Sequence, residues 1–168
     1  MPQPSALSIT GIAPEMIGPA AFDVDALTVI RVGKRVHRAG AALPQTAASA
    51  IFTVSGGLVA AVIVGRVTTV IQTQANNTKI VANPTSGSDV DLCAVLNISA
   101  DAVGDIYAMT GTLSDALVGA GVACAMQAKP VIVPAGTIDL NCAASNTGAI
   151  EWWCYYVPLE DGATVTAA

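Results

Sequence analysis

One stretch limits what this chain can fold into more than any other. It runs from Ala50 to Gln74 and reads AIFTVSGGLVAAVIVGRVTTVIQTQ. A short apolar strand, Ala50 to Val54, meets the turn residues Ser55-Gly56-Gly57, and a long run rich in Val, Ile and Thr follows from Leu58 to Gln74. Side chains branched at Cβ are stiff at χ1 and suit a pleated surface better than a helix. From Arg66 onward the run alternates, with Val67, Thr69, Ile71 and Thr73 on one parity and Arg66, Thr68, Val70, Gln72 and Gln74 on the other. The pattern predicts a central hairpin whose long second strand is the one other strands pair against.

The rest of the chain repeats this signal. Strands are expected over Ala26 to Val36, Thr78 to Ala82, Asp89 to Asn97, Ile106 to Thr112 and Ala149 to Val157. In Asp89 to Asn97, Val90, Leu92, Ala94 and Leu96 should share a face. Gly40 to Thr46 reads as a connector, and Asn83-Pro84-Thr85-Ser86-Gly87 and Ser145-Asn146-Thr147-Gly148 as turns. Pro130 to Val133 and Thr137 to Asn141 suggest an edge hairpin around Pro134-Ala135-Gly136. In Leu113 to Gln127 the alanines allow a short helix, while Gly119 and Gly121 argue for loop and strand. Helix–strand alternation is missing, so the expected class is all-β: an antiparallel β-sandwich or a jelly-roll-like barrel.

The N-terminus differs. Met1 to Asp25 carries Pro2, Pro4, Pro14 and Pro19 among small residues, yet also Ile9, Ile12, Met16, Ile17 and Phe22. Prolines at this density oppose helix and ladder alike, and the apolar residues are too many for a solvated tail. The expectation is an extended arm over 1–33 that packs on a neighbouring subunit, followed by a β-domain over 34–168.

Composition narrows function mainly by exclusion. Over half of the 168 residues are hydrophobic and only 11% are charged, which points to surface that faces other protein. The mean hydropathy of +0.61 does not imply a membrane span. No run reaches the roughly eighteen apolar residues that a crossing helix needs. The opening MPQPSALSIT has neither the basic start nor the apolar core of a secretory signal, so synthesis in a cytoplasm is expected. Beyond Lys79 only Lys129 is basic, against nine carboxylates, and an acidic body repels phosphate, so no nucleic-acid partner is expected. The cations Arg31, Lys34, Arg35 and Arg38 cluster beside His37, where the arm meets the body; a solvated strand or linker explains them better than nucleic-acid recognition.

Candidate chemistry is sparse. His37 is the single histidine, no Gly-x-Ser-x-Gly elbow occurs, and a solvated His37 is expected rather than a triad member. Asp89/Asp91 and Asp101/Asp105 are the carboxylate pairs that could cleave a glycan. A solvated strand end suits the first better, and turn capping suits Asp101, Asp105 and Asp115. Cys93, Cys124, Cys142 and Cys154 lack the close pairing of zinc ligands and read as free buried thiols. On a strand, Trp152, Cys154 and Tyr156 face one way and Trp153 and Tyr155 the other, so one face is core and the other is exposed or at an interface. No catalytic residue, cofactor or metal site is expected.

Two runs carry a resemblance. GRVTTVIQTQANNTKIVANPTSGSDVDLCAVLNISADAVGDIYAMTGTLSDAL (Gly65 to Leu117) and VIVPAGTIDLNCAASNTGAIEWWCYYVPLEDGATVTAA (Val131 to Ala168) resemble small virion structural proteins of tailed bacteriophages. The resemblance implies a non-enzymatic decoration or cement protein on the capsid's outer surface. Its partner would be the major capsid protein, its assembly a homotrimer, and its location the virion, after synthesis in the host cytoplasm. The alternative is a head-fibre or tail component that binds host surface glycan. Under these readings the interface residues are Ile9, Ile12, Met16, Ile17, Phe22, Arg31, Arg35, Trp153 and Tyr155.

Overall fold

The computed structural model describes residues 33–168, of which Arg35–Ala168 form one compact unit. The proposed arm contacts Ile9, Ile12, Met16, Ile17, Phe22 and Arg31 lie outside the described residues. Twelve strands follow one another among the described residues: β1 (Lys34–Ala42), β2 (Ala48–Ser55), β3 (Val59–Thr69), β4 (Asn77–Pro84), β5 (Val90–Asp91), β6 (Leu96–Asn97), β7 (Ile106–Ala108), β8 (Val118–Ala120), β9 (Val131–Val133), β10 (Gly136–Cys142), β11 (Ala149–Pro158) and β12 (Thr164–Ala167). They form two antiparallel sheets. The first runs β1-β11-β3-β7-β8, with β9 also on β3; the second runs β12-β2-β10-β4-β5, with β6 also on β4. The fold is an all-β sandwich.

Its connectivity is that of a jelly roll. Set aside β6, β7, β8 and β12, and the remaining eight strands pair first with last: β1 with β11, β2 with β10, β3 with β9, β4 with β5. This is a long antiparallel ribbon wrapped so that alternate pairs fall in opposite sheets. The expected central hairpin is therefore corrected. β2 and β3 flank Ser55-Gly56-Gly57 but lie in different sheets, and the turn is an arch over the edge of the sandwich. The expected edge hairpin around Pro134 is an arch too, with β9 on β3 and β10 in the middle of the other sheet. The long strand does serve as the platform: β3 pairs with β11 along one side and with β9 and β7 along the other.

Other boundaries move for similar reasons. β1 runs on to Ala42 rather than ending at Val36, because β11 offers it a partner through the expected connector. Asp89 to Asn97 breaks into two short strands on successive parts of β4, so Leu92 and Cys93 are both buried while Val90 is exposed. Only Ile106–Ala108 of the Ile106 to Thr112 strand forms, and Leu113 to Gln127 contributes β8 and no helix.

The core lies between the sheets. Alternate residues of β3 (Val59, Ala61, Ile63, Val67) and β11 (Ile150, Trp152, Cys154, Tyr156) face Phe52, Val54, Ile80, Ile138 and Leu140 of the second sheet. Gly65 interrupts the β3 series because Trp152 lies over it; a Cβ there would stand 2.6 Å from the ring. The indole then stacks towards Tyr107, with centroids 6.3 Å apart. Gln127 closes the gap that β9 and β7 leave along β3. Its Oε1 accepts the Ile63 N–H at 3.3 Å and its Nε2 donates to the carbonyls of Ala61 at 3.3 Å and Lys129 at 2.6 Å. Buried backbone groups that no strand reaches are satisfied by one side chain.

Candidate functional site

The outer face of the first sheet carries the most organised polar cluster, at the junction of β1, β11 and β3. The antiparallel register sets Glu151 directly opposite Arg66 and Trp153 opposite Val64. Residues opposite one another across a ladder share a face. Arg66 Nε donates to Glu151 Oε1 at 2.6 Å, and its Nη2 reaches the same oxygen. His37, from β1, places Nε2 3.0 Å from Glu151 Oε2. Its ring stacks on Trp153 with centroids 5.0 Å apart and 17° between planes, and the Arg66 guanidinium carbon lies 5.4 Å from the Trp153 centroid. One carboxylate thus ties three strands together while one indole packs against two nitrogen-rich groups.

The electrostatics follow from this geometry. Glu151 keeps only 10% of its side chain exposed, against 53% for Arg66 and 42% for His37. Burial alone would raise the carboxyl's pKa, but the hydrogen bonds and charge of Arg66 and His37 outweigh it and hold Glu151 below its ordinary range. A carboxylate lowered in this way stabilises the fold fully above its unfolded pKa, and the contribution is lost as pH falls through the folded value. Glu151→Gln should therefore cost about 1 kcal/mol at neutral pH, since half-exposed partners re-solvate. It should also flatten the decline of stability below the ordinary carboxylate range. Urea midpoints measured from neutral to acidic pH check both.

Several sequence expectations are settled here. His37 is not simply solvated; its partners are Glu151, 114 residues away, and Trp153. The parity of β11 is as expected: Trp152, Cys154 and Tyr156 are buried, and Trp153 and Tyr155 lie half-buried on the outer face. Arg35 is exposed on β1, and among the described residues no carboxylate pairs with it. As a platform for a sugar ring Trp153 is compromised, because His37 and Arg66 already lie against its indole.

The carboxylate pairs separate into two cases. Asp89 and Asp91 are exposed, and Asp91 Oδ2 accepts from Lys79 Nζ at 2.7 Å. Asp101 and Asp105 do converge, on a small polar pocket of about 190 Å³ beside Tyr107. Both are already engaged, since Asp101 accepts the Tyr107 O–H and Asp105 Oδ2 caps the Ala102 N–H at 2.7 Å. Asp115 accepts from Thr110 Oγ1 at 2.8 Å rather than capping a turn N–H. The four thiols are free; Cys93, Cys142 and Cys154 are buried, whereas Cys124, expected in the core, is half-exposed. Burial pushes the Cys154 thiol up to about 12.

Sequence reasoning missed the Glu151 cluster. A carboxylate inside the apolar run AIEWWCYYV was the available signal, since a charge within a buried strand needs a partner. Compared with known proteins, the chain matches no family model, no curated protein and no solved structure.

Proposed function

We propose that this chain is a non-enzymatic structural protein of a tailed-phage virion that stabilises the capsid by binding its outer surface. The observation that carries this reading is the jelly-roll strand order of Arg35–Ala168, in a chain whose runs Gly65 to Leu117 and Val131 to Ala168 resemble phage structural proteins. Jelly rolls recur in viral capsid and lectin domains, so the fold is support by analogy and the role rests on the two features together. A protein of this kind need only be stable alone and adhere to a shell. Apolar area buried across capsomers contributes roughly 25 cal/mol per Å² before the entropy of association is subtracted. The major capsid protein is the proposed partner, and a homotrimer the proposed assembly, because it matches a three-fold position of a shell. The lectin-like alternative, host-glycan binding through Trp153 and Tyr155, has the weaker support because the indole is already engaged.

Labelled protein imaged on purified virions should spread over the shell in many copies. Label confined to the tail or a vertex would shift the reading to a fibre or adsorption component. Deleting Met1 to Asp25 should abolish particle binding in a sedimentation assay while the circular dichroism of the β-domain persists. A truncated chain that still sediments with particles would remove the arm from the anchoring role.

A further inference from the structure

We propose that the free edge of β1 accepts an extended, acidic strand of a partner protein, which adds to the first sheet by backbone pairing. Among the described residues β1 pairs with β11 on one side only. It has nine residues, whereas the other strands that end the sheets are short: three in β8, four in β12 and two in β5. At about 3.3 Å per residue the edge is roughly 30 Å long, and every second residue turns an unpaired N–H and C=O outward. It contains no proline to break the row. Folded proteins usually blunt such an edge by making it short, as this one does elsewhere.

Charge selects the occupant. β1 reads KRVHRAGAA and carries Lys34, Arg35 and Arg38 with no carboxylate. A second copy pairing antiparallel over the full strand would set Arg38 against Arg38 and leave Lys34 and Arg35 opposite Ala42 and Ala41, so it meets one like-charge pair and gains no opposite-charge pair; an acidic strand would gain opposite-charge pairs at all three positions. The edge is also held in place beforehand. His37 is tied to Glu151 and stacked on Trp153, and Arg38 Nε donates to the Ala168 carbonyl at 3.2 Å. A strand that is already ordered loses little entropy when a partner adds to it. This inference does not rest on the virion reading, since any acidic extended segment would serve.

The test uses the full-length protein and two capped peptides, one alternating Glu with Val and Thr, the other with Lys at every Glu. Binding is read by peptide fluorescence anisotropy and its position by amide hydrogen exchange. The acidic peptide should bind, slow exchange at the outward half of the β1 amides, and weaken as salt is raised. Lys34→Glu combined with Arg35→Glu should weaken it about tenfold or more, and both side chains are exposed, so the fold should survive. Equal binding of the Lys peptide, no binding, or protection elsewhere would overturn the proposal and leave the cations as guards against edge pairing. So would β1 amides already protected without peptide. Protection that rises with protein concentration would identify a second copy as the occupant, and protection independent of concentration another segment of this chain. Particle binding lost while peptide binding persists would count against the virion reading alone.

Discussion

Trp152→Ala should remove about 3–5 kcal/mol of stability, the cost of truncating a fully buried large aromatic. The indole is 1% exposed and lies across Gly65 of β3 towards Tyr107 of the adjoining β7. For a domain whose total stability is about 5–15 kcal/mol, that is about a fifth of it or more. Urea denaturation followed by circular dichroism measures the loss, and Trp152→Phe should recover part of it. The partner position gives a sharper check. Gly65→Ala would force a methyl to within 2.6 Å of a ring that has nowhere to go, at a cost of about 1–3 kcal/mol. In the Trp152→Ala background that penalty should largely vanish, because the methyl then enters the space the ring left. Equal penalties in both backgrounds would mean that Gly65 is not there to admit Trp152.

Gly136→Ala should cost about 2–6 kcal/mol, from two sources of about 1–3 kcal/mol each. Gly136 opens β10 with φ of +147°, a conformation that side-chain-bearing residues rarely adopt. An added Cβ would also overlap the Asn83 carbonyl and lie 2.6 Å from Pro84 Cα, both backbone atoms of the neighbouring strand. The position matters because the chain changes sheet here, between β9 and β10. Gly162→Ala is the control: its φ is +82° but nothing lies within 4 Å of the added Cβ, so only the conformational part remains. A Gly136 variant no worse than the Gly162 variant would refute the close approach to β4.

The residues themselves specified the local structure. Dense β-branched runs, period-two burial along β11 and the turn residues at Ser55-Gly56-Gly57 and Ser145 to Gly148 depend on neighbours a few positions apart, so the sandwich class, the core parity of Trp152, Cys154 and Tyr156, and the platform role of β3 were legible. The partners of each strand were not. A two-sheet arch and a hairpin use the same turn residues, and what separates them is whether distant strands such as β10 and β11 complete the ladders on either side. The candidate site was hidden for the same reason. His37 looks solvated in sequence and Glu151 sits in an apolar run far from any cation, and only the registers of β1 and β3 against β11 bring them and Arg66 onto one face, where burial of the carboxylate makes the pairing matter. Alternation and turn chemistry are short-range properties of the chain; the jelly-roll winding, the charge cluster and the place of β1 at the end of its sheet among the described residues are long-range ones, set by which strands compete for the same backbone hydrogen bonds.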